Sequence, residues 1–476
     1  MSILDKRQFF INGAWVDPIQ ATEFDVINPA TEQSIATISM GSEADANAAV
    51  SAAKDAFPAF SRTTKQERVE LLESIMVAYK KRYDEMASII TQEMGAPKVL
   101  SERAQAAVGI GHLQGFIDAL KEYEFRQTTP SGDIIQREAI GVCGLITPWN
   151  WPMNQMVLKI APALASGCTM VLKPSELTPL SAMLYAEILH EAGVPAGVFN
   201  LINGEGPVVG SALSRHPDVQ MMSFTGSTRG GVAVSKDAAE TVKRVALELG
   251  GKSPNIIFAD SDVEKAVKRG TRHVFNNTGQ SCNAPTRMLV ERSAYDQAKD
   301  IAAKVAEQTE VGDPAEEGRH IGPLVSALQY ERVQTLIQKG IDEGATLLAG
   351  GVGKPEGRNV GYFCKPTVFG DVNNDMTIAR EEIFGPVLSI IPFDSEEEAI
   401  EIANDTPYGL AAYMDTGCEE RAERVADQLR AGMVRINGSD ISSGSPFGGY
   451  KMSGIGREGG HFGMDDFLEI KAISRP

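Results

Sequence analysis

The feature that most constrains the fold is the alternation of short apolar segments with helical stretches from about residue 142 onward. Glycines such as Gly167 and Gly193 follow the helical stretches, as glycine commonly does where helices end. Strands that alternate with helices form βαβ units, which build a parallel sheet covered by helices on both faces. The sequence therefore predicts an α/β fold with these strands: Val142–Ile146, Thr169–Leu172, Val198–Leu201, Val219–Phe224 and Lys243–Leu247.

Other regions predict the rest of the architecture. A second alternating region runs from Pro254–Ala259 through a helix at 262–275 to about residue 440, and it predicts a second α/β domain. The first 120 residues are expected to be mostly helical. Residues 122–137 and 467–474 read as a β-hairpin arm and a strand-like tail, whose open edges would pair with another subunit.

Charge and composition bound the class of protein. Lys and Arg number 45 and Asp and Glu 63, so the net charge is 45 − 63 = −18, which repels nucleic acid and anionic membranes. No stretch approaches the roughly 20 apolar residues of a membrane span, and the first residues lack a signal-peptide pattern. Five cysteines without metal-ligand spacing favour a reducing compartment. We expect a cytoplasmic protein that binds no metal, nucleic acid or membrane.

One cysteine lies in a setting suited to a nucleophile. Cys282 ends a polar, glycine-containing stretch, Asn276–Cys282, directly after the helix predicted at 262–275. A free cysteine is more often a buried structural residue, and three cysteines in apolar runs fit that description: Cys143, Cys168 and Cys364. Only Cys282 is therefore expected to be reachable from solvent.

Attack on a carbonyl by cysteine also needs oxyanion donors and a group that takes a proton. Asn150 follows the strand Val142–Ile146, at the end where parallel sheets place ligands. Glu248 ends another strand and precedes two glycines, which allow a ligand to approach closely. The turn Phe224–Thr228 would expose helix N-terminal N–H groups to a phosphate, although it lacks the Gly-x-Gly-x-x-Gly pattern. Taken singly, each of these also fits an ordinary structural role.

In their order along the chain, these segments resemble the NAD(P)-dependent aldehyde dehydrogenase superfamily. The resemblance implies a Rossmann-like cofactor domain at 1–120 and 139–249, a catalytic domain at 250–450, and an oligomerisation arm and tail at 121–138 and 451–476. It also implies a homodimer or homotetramer. It covers essentially the whole chain and rests on the following motifs: Thr147–Asn150, Lys173–Glu176, Phe224–Thr228, Glu248–Lys252, Gly279–Cys282, Glu381–Pro386 and Pro446–Lys451.

The resemblance assigns roles to single residues. Cys282 would attack the aldehyde to form a thiohemiacetal, Asn150 and the Cys282 N–H would hold its oxyanion, and hydride would pass to the nicotinamide. Glu248 would then activate the water that hydrolyses the thioester. The implied cofactor is NAD, with NADP possible, because the Glu176 carboxylate would repel a 2′-phosphate. The implied cofactor-binding residues are Thr147, Pro148, Trp149, Lys173, Ser175, Glu176, Gly206, Gly226, Ser227, Leu249, Glu382 and Phe384.

The aldehyde itself is less defined by the sequence. Polar residues on the helix after Asn150 favour a neutral aldehyde with a hydroxyl, amide or heteroaromatic group over a long alkyl aldehyde. Ser442 and Ser443 add polar groups on the loop before Phe447. The expected substrate-contacting residues are Trp151, Asn154, Gln155, Ser281, Asn283 and Phe447.

Three alternative functions remain open at this point. A coenzyme-A-acylating semialdehyde dehydrogenase would use a thiol in place of water, but that branch generally lacks the acid present here as Glu248. A structural or binding protein on the same fold would have no need for Cys282, Glu248 and Asn150 together. Ester hydrolysis by the same cysteine is expected as a side activity.

Overall fold

The computed structural model describes residues 3–20, 22–442 and 444–474, so Ser443 lies outside the described residues. The described strands are β1 (Leu4–Lys6), β2 (Phe9–Ile11), β3 (Ala14–Val16), β4 (Thr22–Asn28), β5 (Gln33–Met40), β6 (Arg126–Thr128), β7 (Ile134–Ala139), β8 (Val142–Ile146), β9 (Thr169–Lys173), β10 (Phe199–Leu201), β11 (Met221–Thr225), β12 (Arg244–Glu248), β13 (Pro254–Ile257), β14 (Arg287–Glu291), β15 (Thr346–Ala349), β16 (Thr367–Gly370), β17 (Val387–Phe393), β18 (Ala411–Asp415), β19 (Met433–Ile436), β20 (Gly454–Ile455) and β21 (Leu468–Ile473).

The described α-helices account for most of the remaining regular structure. They are α1 (Glu43–Phe60), α2 (Lys65–Lys81), α3 (Tyr83–Met94), α4 (Lys98–Leu100), α5 (Ala107–Glu122), α6 (Pro152–Ser166), α7 (Leu180–Glu191), α8 (Ser211–Arg215), α9 (Thr228–Ala239), α10 (Val263–Phe275), α11 (Tyr295–Glu307), α12 (Ala327–Asp342), α13 (Thr377–Arg380), α14 (Glu396–Asn404), α15 (Glu419–Gln428) and α16 (Gly460–Asp465). None of the described helices is long and apolar enough to cross a membrane.

The predicted α/β fold is confirmed, and one large sheet sets up the first half of the site. Its strand order is β20-β12-β11-β8-β9-β10-β2-β3, and strands β8 to β12 run parallel. The register aligns Ile146 with Lys173 and Thr225 with Glu248. The carboxyl ends of these strands therefore meet at one edge, which is where open parallel sheets bind ligands.

A second sheet, in the order β15-β16-β17-β14-β13-β18-β19, is parallel except for β15. Helix α10 packs on its strands β13 and β17 and leads into the loop that carries Cys282. The predicted hairpin and tail pair with each other, since β21 lies antiparallel to β7 from Leu468 opposite Ala139 to Ile473 opposite Ile134. The first 120 residues contain strands β1 to β5 as well as helices, so the mostly helical prediction missed these strands. Strand β20, which lies in the predicted tail segment 451–476, joins the first sheet. The domain boundaries stay a prediction.

Candidate active site

The loop that carries Cys282 has a constrained backbone. It holds three consecutive residues at positive φ: Asn277 at 52°, Thr278 at 57° and Gly279 at 75°. Such a conformation is costly for residues other than glycine and persists only where the surroundings fix it. A Cβ on Gly279 would lie 2.0 Å from the Gly385 carbonyl oxygen, so the loop is pressed against the segment that contains Gly385.

Cys282 as a whole residue is partly exposed, as predicted. Desolvation of its sulfur within the site raises the pKa of the thiol above the usual range, and the nearby acids Glu382 and Glu248 raise it further. One prediction was wrong: Cys418 is also partly exposed, because it lies at the surface start of helix α15 with its sulfur 3.3 Å from a Glu420 oxygen. The cysteines that were predicted to be buried are buried: Cys143, Cys168 and Cys364.

Asn150 is fixed beside the cysteine loop by hydrogen bonds at both ends. Its side-chain amide donates to the Gln280 carbonyl at 3.1 Å. Its backbone carbonyl accepts from the amide groups of Gln105 at 3.0 Å and Asn277 at 2.9 Å. Because the amide nitrogen carries two hydrogens, one of them stays available to a ligand beside Cys282, which lines the same cleft as Asn150.

Glu248 is buried in a small internal cavity that also contains Lys159, Ser223 and Glu458. The Lys159 ammonium donates to Glu458 at 2.7 Å and to Ser223 at 3.0 Å. One Glu248 carboxylate oxygen has no hydrogen-bond partner among the described residues. Burial, reinforced by Glu458, raises the pKa of Glu248 well above its usual range. Glu248 lines this internal cavity and neither of the two cavities that Cys282 lines, so a change of its side-chain rotamer is needed to bring the carboxyl group to a substrate on Cys282.

Two larger cavities meet at Cys282. The first is a cleft of about 160 Å³ along the carboxyl edge of the large sheet. In it, the Glu382 carboxylate accepts from the Gly251 N–H at 2.9 Å, and burial raises the pKa of Glu382 to about 7. Phe384 packs edge-to-face on Trp149 at 5.3 Å between ring centroids. The predicted cofactor residues that line this cleft are Pro148, Trp149, Gly226, Ser227, Leu249, Glu382 and Phe384.

The remaining predicted cofactor residues follow the carboxyl ends of strands β8, β9 and β10. Lys173 donates to the Gly204 carbonyl at 2.8 Å, and its ammonium lies 3.6 Å from Glu176. Ser227 caps helix α9 by accepting from the Gly230 N–H at 3.2 Å. Five predicted cofactor residues do not line the cleft of the large sheet: Thr147, Lys173, Ser175, Glu176 and Gly206. The predicted cofactor residues therefore follow the carboxyl ends of the adjacent strands β12, β11, β8, β9 and β10, and Glu382 and Phe384 join them from the segment between β16 and β17.

The second cavity, of about 390 Å³, opens on the other side of Cys282. Trp151 donates from its indole nitrogen to the Ser281 hydroxyl at 2.8 Å, and Asn154 lies 2.7 Å from His112 Nε2. Gln155 borders both cavities, and its buried side-chain oxygen has no hydrogen-bond partner among the described residues. All the predicted substrate residues line this second cavity: Trp151, Asn154, Gln155, Ser281, Asn283 and Phe447.

Several residues of both cavities were missed from the sequence. On the cofactor side, Arg332 donates to the Glu382 carbonyl at 2.9 Å, and Gln329 donates to the Phe384 carbonyl at the same distance. On the other side, the missed ionisable residues are His112, His273 and Arg435. Of these residues, only Arg435 could have been found from the sequence, because it is a charged residue within the otherwise apolar strand Met433–Ile436.

Comparisons with known proteins agree on one family. A family model described as "Aldehyde dehydrogenase family" matches residues 15–473. A 3-succinoylsemialdehyde-pyridine dehydrogenase from Pseudomonas sp is 55% identical over 470 residues, which is 98% of each chain. The crystal structure of a Bartonella henselae aldehyde dehydrogenase is 55% identical, with a TM-score of 0.98 over 99% of this chain and 100% of that one. A mutant aldehyde dehydrogenase from Pseudomonas syringae, solved with NAD+ and octanal, is 47% identical, with a TM-score of 0.97 over 98% and 96% of the two chains.

Proposed function

This chain belongs to the aldehyde dehydrogenase family and catalyses the NAD(P)-dependent oxidation of an aldehyde, and we propose that Cys282 is the nucleophile of that reaction. The observation that carries the proposal is that the partly exposed residue Cys282 lines both cavities and lies where they meet. A nucleophile at such a junction can attack an aldehyde that is bound in one cavity while it faces a cofactor that is bound in the other. The sulfur attacks the aldehyde carbon, and a thiohemiacetal forms.

The oxyanion of this adduct would be held by the Asn150 side-chain amide and the Cys282 N–H. Asn150 is suited to this role because its hydrogen bond to Gln280 fixes the amide plane while one N–H remains available. Donors that are oriented before the reaction stabilise developing charge without reorganisation, and loss of one typically costs ~10²–10³ in rate.

NAD fits the cleft of the large sheet. Gly250 lets the backbone pass close to Glu382, since a Cβ there would lie 2.4 Å from the Glu382 carboxylate. Glu382 and Phe384 would hold the nicotinamide end, Ser227 the pyrophosphate, and Lys173 with Glu176 the adenosine ribose. Bound NAD supplies a hydride acceptor, so that the thiohemiacetal becomes a thioester. We propose a preference for NAD over NADP, because a 2′-phosphate would face the Glu176 carboxylate.

Glu248 would resolve the thioester. After rotating toward Cys282, its carboxylate takes a proton from water, the water oxygen bonds to the thioester carbon, and the sulfur leaves as the carboxylic acid forms. A carboxyl group with a raised pKa is a stronger base once it is ionised, which suits it to this step. Retention of Glu248 also favours water over coenzyme A as the group that releases the product.

A polar aldehyde of moderate size is the proposed substrate. The unpartnered oxygen of buried Gln155 supports this, because burying an amide beside a purely alkyl chain would leave it without a partner. Among relatives, one is named for an aldehyde with a pyridine ring and another was solved with octanal, so the family accommodates both kinds of substrate.

We propose a homodimer or homotetramer in the cytoplasm. The edge strand β21 is largely exposed and supports pairing with another copy. The cysteines are free thiols, and the mechanism requires Cys282 in its reduced form, which a reducing compartment maintains.

Replacement of the nucleophile tests the central claim. Cys282→Ser should lower NADH production by more than about 100-fold, because a hydroxyl is a far weaker nucleophile at neutral pH, while NAD binding by calorimetry is retained. Cys418→Ser removes the other partly exposed thiol and should leave turnover unchanged. Turnover of the Cys282→Ser protein above a few per cent of the original would contradict the assignment.

A further inference from the structure

Strand β19 places an arginine in the wall of the substrate cavity. Side chains alternate along a strand, so Met433 and Arg435 face one side, and both line the cavity. Val434 and Ile436 face the other side and pack on the apolar core of the second sheet. The position of Arg435 is thus fixed by a regular strand, which holds a side chain more precisely than a loop does.

The guanidinium of Arg435 is buried more deeply than its partner. Its side chain is 21% exposed, whereas that of Asp440, 3.3 Å away, is 94% exposed. The carbon at the centre of the guanidinium lies 5.7 Å from the ring centroid of Tyr413. A guanidinium has five N–H donors, and within the described residues the structure records one hydrogen bond from it. Donors therefore remain for a ligand in the cavity.

The surroundings of the two histidines in this cavity favour their neutral forms. Burial and, to a smaller extent, the charge of Arg435 lower the pKa of His273 to about 4. Burial also lowers the pKa of His112. Among the described residues that line the cavity there is neither Asp nor Glu. Arg435 is consequently the fixed charge of this wall, within a protein whose net charge is −18.

The position of Arg435 relative to Cys282 sets the shape of a fitting substrate. The Tyr413 hydroxyl donates to the carbonyl of Asn283, the residue after Cys282, at 2.9 Å. Arg435 lies beside the same tyrosine ring, so one tyrosine side chain separates the guanidinium from the nucleophile loop. A group bound by Arg435 must therefore be several bonds from the aldehyde carbon.

We infer that Arg435 selects aldehydes that carry a carboxylate at the end remote from the aldehyde group. The inference rests on the proposed function and replaces the expectation of a neutral substrate. The planar guanidinium matches a carboxylate with two parallel N–H···O bonds. The substrate carboxylate would take the place of the exposed Asp440 as the partner of Arg435.

A panel of length-matched aldehydes tests this inference: pentanal, 5-oxopentanoate and 5-oxopentanamide, each with NAD. The expected kcat/KM is highest for 5-oxopentanoate. Arg435→Gln should reduce that value about 10- to 100-fold, mainly through KM, because a charge-assisted hydrogen bond is lost. Pentanal should change less than twofold. Arg319→Gln removes an exposed arginine on the loop between α11 and α12 and serves as the control, with no change expected.

Asp440→Asn provides a test of opposite sign that does not depend on the folding of the Arg435→Gln protein. It frees the guanidinium, so it should lower KM for 5-oxopentanoate several-fold and leave pentanal unchanged. Equal kcat/KM for the carboxylate and the amide, or loss of both equally in Arg435→Gln, would overturn the inference while aldehyde oxidation stands. Absence of NADH from all three aldehydes would instead count against the proposed function.

Discussion

At the scale of single residues, the surroundings of the site disfavour ionisation of its two reactive groups. Burial raises the pKa of both Cys282 and Glu248, and the Glu248 carboxylate raises the pKa of Cys282 further through like charge. Burial of Glu248 beside Glu458 is the physical cause for the acid, since desolvation and a neighbouring carboxylate both disfavour ionisation. Reactivity therefore depends on removal of protons from this pair during turnover.

Glu248→Gln should separate formation of the thioester from its hydrolysis. If Glu248 acts mainly as the base for water, the first turnover of NADH survives as a burst, while the steady rate falls at least tenfold. Rapid-mixing absorbance measures both phases, with Glu240→Gln, an exposed acid after α9, as the control. Equal loss of both phases would show that Glu248 acts before hydride loss.

The same residue predicts the direction of the pH dependence. The base works only when it is ionised, and a raised pKa moves its ionisation upward, so the steady rate should increase as pH rises through neutrality. In the Glu248→Gln protein this increase should be much smaller. A steady rate that falls as pH rises from 6 to 8 would contradict the assignment.

At the scale of elements, the cysteine loop is held by contacts that lie far apart in the sequence. The Thr278 hydroxyl donates to the Gly322 carbonyl at 3.0 Å, and the Gln280 side-chain oxygen accepts from the Val325 N–H at 2.9 Å. These bonds stabilise the positive φ values of the loop and so orient Cys282. The backbone conformation of the loop therefore depends on the segment after residue 320 as much as on helix α10.

Two glycines with similar backbones allow the packing of this loop to be tested. Gly344→Ala, at φ 88° in open space, should cost about 1–2 kcal/mol of stability from backbone strain alone. Gly279→Ala adds a Cβ 2.0 Å from the Gly385 carbonyl, so it should cost more and reduce kcat/KM at least tenfold as Cys282 moves. Thermal unfolding and steady-state kinetics measure the two effects. Equal losses of stability and unchanged activity would contradict this account.

At the scale of the whole molecule, the strands β21, β7 and β6 form a separate small sheet with an exposed edge. Arg244, on strand β12 of the large sheet, donates to the carbonyls of Asp466 and Leu468 and ties this small sheet to the large one. Ile470 on the outer strand is 68% exposed. An exposed apolar strand edge of this kind is a surface for association.

Ile470→Glu should therefore reduce the mass of the proposed homo-oligomer in sedimentation experiments. A buried charge at an interface is costly, so the variant is expected to populate a smaller species at the same protein concentration. Leu328→Glu changes an apolar residue of α12 that is 82% exposed, and it should leave the mass unchanged. If both variants retain the original mass, the tail strand is not part of the interface.

Local patterns explain how much of the fold and site was predictable. The strand Val142–Ile146 and the helix Val263–Phe275 were found within a residue of their predicted ends, because continuous apolar runs and a 3.6-residue period are local signals. Cys282 and Asn150 were singled out from their local setting in the sequence, and Glu382 was assigned by the family resemblance alone. Strand β4, Thr22–Asn28, was missed although it alternates polar and apolar residues.

The sequence alone determined the alternation of strands and helices from residue 142 onward, the family motifs and the chemistry of the side chains, since these depend on residues close together in the chain. Only the tertiary structure decided how they meet. It turned Glu248 toward Lys159 and Glu458, and it placed Arg435 in the wall of the substrate cavity. Both outcomes follow from the packing of segments that are distant in the sequence, and burial in that packing sets the pKa values and the charge that a substrate meets.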